Sequence, residues 1–133
     1  MTFVIDTSAL MRLFIPDGPL PDRLNAAVSS AERGDSVLLA PELVLAEAGQ
    51  VLHKKRLADL LTDDELAEIA AAIDSLPLRL STHRGRLAPA CELASSLNLT
   101  VYDALFLDLA RTHSAVLITA DEALAGAARG MGL

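Results

Sequence analysis

Three stretches of the chain are apolar residue after residue yet too short for a helix: Phe3-Val4-Ile5, Val37-Leu38-Leu39-Ala40 and Ala115-Val116-Leu117-Ile118 running into Thr119. Runs of this length without polar alternation fit strands buried on both faces, which is the habit of parallel sheets covered by helices on each side. Leu78-Arg79-Leu80-Ser81 reads as a fourth strand. Helical segments separate them. The pattern predicts helices over 9–14 after the caps Thr7 and Ser8, over about 22–33 with Gly34 as stop, and over about 41–56 opened by Pro41. Thr62-Asp63-Asp64-Glu65 is a capping box that starts a helix to about Ser75. Further helices are expected at about 83–97, at 101–113, and from Asp121 to Gly130. Strands alternating with helices in this way indicate an α/β fold, and 133 residues without repeat, low-complexity tract or linker indicate one domain over 1–133.

Composition narrows the setting. Apolar residues make up 52 % and aromatics 3 %, so the core must be aliphatic. A mean hydropathy of +0.39 is high, and some apolar surface is expected to be covered by a partner or a second copy. Lone Cys91 rules out an intrachain disulfide and a multi-cysteine zinc cluster. No secretory signal or membrane-length apolar run is visible, so a cytoplasmic location without membrane contact is expected. A net charge of -7 is a poor background for binding nucleic acid, unless bound cations alter the local sum.

Against that background four acids stand out. Asp6 ends the first strand, and Asp121 lies two residues past Thr119 at the end of the last. In open α/β sheets ligands sit at the carboxyl ends of strands, near the point where strand order reverses, so both carboxylates are expected on one edge. Glu47 falls within the helical stripe of Val44, Ala48, Val51 and Leu52. Asp103 shares a face with Phe106, Leu107 and Ala110, whereas Asp108 falls opposite with Ala104 and Arg111 and reads as solvated. A carboxylate on a core-facing stripe is costly unless paired or coordinated, and neither helix offers Lys or Arg one turn away from Glu47 or Asp103. Each acid has an ordinary reading as well. Asp6 can close a strand, Asp121 can cap a helix, and Asp103 can complete a capping box with Thr100. Glu47 is the hardest to explain in that way.

Four oxygen donors of this kind suit Mg²⁺ or Mn²⁺ rather than zinc. Such an ion lowers the pKa of a bound water and clamps phosphate oxygens, so phosphodiester hydrolysis is the expected chemistry. Thr7, Ser8 and Thr119 stand where their hydroxyls can position the acids, or serve as plain caps. Candidates for phosphate contact are Arg12, the run Lys54-Lys55-Arg56, and Arg84 with Arg86, although cations at a helix C-terminus are also ordinary. His53, His83 and His113 show no ligand spacing and are expected at the surface. Of the aromatics Phe3, Phe14, Tyr102 and Phe106, most read as core.

The same segments resemble the PIN-domain nucleases, and within them the toxins of VapC type. Val4-Ile5-Asp6-Thr7-Ser8 is similar to the family's opening motif, and Pro41 to Glu47 with Val51-Leu52 to its second. Tyr102-Asp103-Ala104-Leu105-Phe106-Leu107 is similar to its third, and Leu117-Ile118-Thr119-Ala120-Asp121 to its fourth. The resemblance implies a three-layer α/β/α fold around a central parallel sheet of four or five short strands. It implies Mg²⁺- or Mn²⁺-dependent cleavage of RNA by Asp6, Glu47, Asp103 and Asp121, in a homodimer inhibited by a small cognate antitoxin. On this reading Asp6 and Asp103 hold the principal metal, and Asp121 and Glu47 help directly or through water. Three positions depart from the family pattern: Asp108 replaces a small apolar residue, Gln50 replaces Asn, and the final edge strand is short or missing. Two rivals remain. A receiver-like Mg²⁺-binding domain wants paired acids after the first strand, where Thr7-Ser8 stand, and a late Lys that 115–121 lacks. A non-catalytic regulatory α/β domain would keep the fold without turnover.

Overall fold

Val4 and Ile5 are shielded completely from solvent, which puts the first apolar run at the centre of the sheet in this computed structural model, where residues 1–133 are described. The run forms β1 (Thr2–Ile5), flanked on one side by β2 (Val37–Pro41) and on the other by β4 (Val116–Ile118). β3 (Leu78–Ser81) lies outside β2, giving the order β3-β2-β1-β4. All three pairings are parallel, with Val4 opposite Leu39 on one side and Leu117 on the other. The sheet has four strands, the smaller of the two numbers expected. Pro41 closes β2 rather than opening a helix. Its missing N–H costs nothing at the strand end, where it pairs with Ser81.

Seven helices flank the sheet in the three-layer arrangement expected: α1 (Thr7–Arg12), α2 (Leu24–Glu32), α3 (Leu43–Leu57), α4 (Asp63–Asp74), α5 (Leu87–Leu97), α6 (Val101–Thr112) and α7 (Glu122–Gly130). The larger apolar cluster joins the sheet to α1–α4 and to one side of α6, through residues such as Leu10, Leu24, Val44 and Phe106. A smaller cluster, including Leu93, Leu107 and Leu124, binds α5, α6 and α7 together. α6 lies across β1, β2 and β4 and carries α5 against its other side.

That second layer corrects one expectation. Asp108 is not solvated: it is 2 % exposed. The stripe Ala104–Asp108 looks solvent-facing when α6 is read as a one-sided helix, but α5 covers it. Asp108 meets a bidentate Arg86 at 2.8 Å to each oxygen, and Arg111 at 3.0 Å. Helix α5 also starts later than expected, because residues 82–86 descend as a loop that delivers Arg86 to that carboxylate. The two guanidiniums hold the Asp108 carboxyl below its ordinary range, chiefly through the Arg86 hydrogen bonds.

Candidate metal centre

The strand order places the reversal at β1, whose sequence-adjacent neighbour β2 lies on one side and the late strand β4 on the other. Asp6 follows β1 and Thr119 follows β4, so the carboxyl ends of these two strands frame the crevice. Asp6 is the N-cap of α1, a role the sequence assigned to Thr7 and Ser8. Its Oδ1 accepts the Ala9 N–H at 2.9 Å and the Ser8 hydroxyl at 2.7 Å, and its Oδ2 accepts the Thr119 hydroxyl. Those hydroxyls are themselves anchored. Ser8 Oγ accepts the Ala120 N–H at 2.9 Å, and Thr119 Oγ1 accepts the Asp121 N–H at 3.0 Å. The turn after β4 is thus clasped to the turn after β1 through one carboxylate.

Asp6 is 5 % exposed, and no Lys or Arg reaches it. Burial pushes its carboxyl above the ordinary value. The bonds from Thr119, Ala9 and Ser8 pull it back, and the charge of Asp121 adds to the rise. Asp103, in the first turn of α6 after the N-cap Thr100, is also raised, first by burial and then by Asp121. Asp121 caps α7 through Oδ1, which accepts from Ala123 and Leu124, so its ordinary helix-cap role is real. Its charge nonetheless acts on both Asp6 and Asp103. Glu47 is half-buried on α3 and accepts the Thr7 hydroxyl at 2.7 Å, which ties it to the start of α1. Thr7, Ser8 and Thr119 do position the acids, the first of the two roles the sequence left open for them. The Ser8 bond to Asp6 is local, whereas those of Thr7 to Glu47 and Thr119 to Asp6 span 40 and 113 positions and no local pattern signals them.

The donor set fits a hard divalent cation: carboxylate oxygens, two of them on groups with raised pKa, and no cation from the chain. No three acidic or imidazole side chains stand close enough together to hold an ion by themselves, so these carboxylates do not form a complete metal cage.

The basic candidates are mostly engaged elsewhere. Arg12 donates to the Pro19 carbonyl, Lys55 pairs with Asp17 at 2.9 Å, and Arg56 pairs with Asp63. Lys54 is exposed and makes no ion pair. Tyr102, beside Asp103, is 60 % exposed rather than core, and His83 is half-buried.

Comparison with known proteins gives the chain its family. Residues 3–130 match the PIN domain, and the chain belongs to that family. Ribonuclease VapC1 of Mycobacterium tuberculosis is 33 % identical over 95 residues, covering 70 % of this chain and 69 % of that protein. Ribonuclease VapC3 of Pyrobaculum aerophilum is 29 % identical over 127 residues, covering 94 % and 93 %. The crystal structure of PAE2754 from Pyrobaculum aerophilum superposes with a TM-score of 0.65 at 22 % identity, covering 98 % of this chain and 87 % of that one, a likeness of fold.

Proposed function

We propose that this PIN domain is a Mg²⁺- or Mn²⁺-dependent endoribonuclease, the toxin of a toxin–antitoxin pair, with Asp6, Glu47, Asp103 and Asp121 as its working residues. One observation carries the reading: a buried carboxylate at the sheet's reversal point is fixed by three hydrogen bonds and left without any cation of the chain. The ribonuclease names of the two relatives point the same way.

Asp6 and Asp103 would hold the ion, with Asp121 and Glu47 acting directly or through water. A carboxylate offers about four lone-pair sites, and three on Asp6 are taken, which leaves one on Oδ2. Mg²⁺ keeps several of its waters and is commonly held by one or two carboxylates, so it does not require a complete protein cage. When bound, the ion would lower the pKa of a water and offset charge on the phosphodiester. Glu47, oriented through Oε1 by Thr7, keeps Oε2 free to orient the attacking water or take its proton. Tyr102 offers an exposed ring beside Asp103 for stacking a base. Exposed Leu57, Leu60 and Leu87 are apolar surface suited to cover by a second copy or an antitoxin, in a cytoplasmic setting.

The test is cleavage of RNA with Mg²⁺ or Mn²⁺ by the unsubstituted chain, by Asp6→Asn and by Asp103→Asn. Cleavage that needs the ion and both acids supports the proposal. Full activity in chelator, or in either variant, overturns it.

A further inference from the structure

A second feature lies on the far side of α6 from the acids. Nine residues, about two and a half turns, separate Asp103 from Thr112, so the two project from opposite sides of the helix. Around Thr112 the loop after β3 closes a cavity of about 370 Å³, whose polar lining includes Thr82, His83, Arg84, Arg86, Thr112 and His113. Its one acid, Asp108, has both oxygens bonded to Arg86 and Arg111, so no free carboxylate faces the space. Arg86 uses Nε and Nη2 on Asp108 and Thr112, and its Nη1 bonds to nothing in the chain. Arg84 is exposed and makes no ion pair. In a chain of net charge -7 this cavity therefore collects two guanidiniums, two imidazoles and three hydroxyls, those of Ser81, Thr82 and Thr112, around a single neutralised carboxylate.

We infer that this cavity is an anion site for a backbone phosphate of the RNA strand whose cleavage is proposed above, and the inference rests on that reading. Guanidinium forks match phosphate geometry, and Arg86 is already fixed by its bidentate pair. The position suits the same strand. β3 ends at Ser81 on the carboxyl edge that carries Asp6, two strand spacings away, or about 10 Å. A strand laid along that edge from Asp6 comes to the end of β3, where the loop carrying His83 and Arg84 begins. This assigns substrate grip to the β3–α5 loop, which shares no residue with the acidic crevice.

The experiment measures binding of a fluorescent single-stranded RNA oligonucleotide in chelator, where cleavage is off. Arg84→Ser and His83→Gln are compared with the unsubstituted chain over a range of salt, and cleavage with Mg²⁺ is scored in parallel. Arg84 is exposed and unpaired, so its replacement leaves the fold in place, whereas Arg86 is avoided because it holds Asp108. The inference expects Arg84→Ser to weaken binding by roughly five- to tenfold and to reduce the salt slope by about one. Unchanged affinity and slope in a chain that still cleaves RNA overturn the cavity's role and leave the nuclease reading standing. An unsubstituted chain that neither binds nor cleaves RNA overturns both.

Discussion

Asp6 and Asp108 are both buried carboxylates, and the chain treats them differently. Asp108 receives two arginines of its own and sits below its ordinary pKa; Asp6 receives two hydroxyls and one backbone N–H and sits above it. Hydrogen bonds from neutral donors orient a carboxylate without cancelling its charge, whereas guanidiniums do both. The difference separates a carboxylate neutralised from within the chain from one that the proposed cation would neutralise. It also explains how one helix, α6, carries Asp103 and Asp108 on different faces in unlike surroundings.

The largest effect expected from this contrast is on chemistry. Asp6→Asn should lower Mg²⁺-dependent RNA cleavage about a thousandfold or more, roughly 4 kcal/mol of barrier, while circular dichroism shows the fold intact. Near-normal cleavage by this variant would erase the distinction between the two aspartates.

The counterpart acts on stability. Arg86→Ala leaves buried Asp108 with the half-exposed Arg111 alone and should lower the urea unfolding midpoint. A loss within experimental scatter would mean that Arg111 and water suffice, and that the Arg86 bond adds nothing measurable.

Cation binding comes next in size. Mg²⁺ at about a hundred times its Kd should stabilise the unsubstituted chain by roughly 2.7 kcal/mol, and Asp6→Asn should lose most of that gain. Thermal shifts with and without the ion read this directly. Equal shifts in both proteins would place the ion elsewhere.

The smallest effect is the pH slope, and its sign differs at the two residues. The lowered carboxyl of Asp108 makes the unfolded chain bind its proton first, so this stability is present above the ordinary carboxyl value and is lost as pH falls through the folded one. The raised carboxyl of Asp6 makes the folded chain bind first. Without metal, its contribution is present below the ordinary value and lost as pH rises through the raised one. Urea midpoints measured against pH in chelator should show Asp108→Asn flattening the acid-side loss and Asp6→Asn flattening the decline on the other side. The same profile in both variants would count against the opposed environments.

Much of the site's placement was legible because parallel strands make it so. A short apolar run ending in Asp6 and another ending just before Asp121 must deliver both acids to one sheet edge once the strands are parallel neighbours. Glu47 and Asp103 followed from helical period. What stayed hidden were contacts between distant segments: Thr119 on Asp6, Thr7 on Glu47, and Arg86 on Asp108 across 22 positions. Asp108 was misread because a period of 3.6 identifies one buried stripe, whereas α6 is buried by the sheet on one side and by α5 on the other.

The sequence by itself determined the strand runs and singled out the four acids as candidates, since composition and periodicity are local quantities. The partial exposure of β3 and β4 was not legible there. The tertiary structure alone decided which buried carboxylate is neutralised from within. That depends on where a loop sets down Arg86 and where the turn after β4 sets down Thr119, and only the packing of remote segments fixes either position.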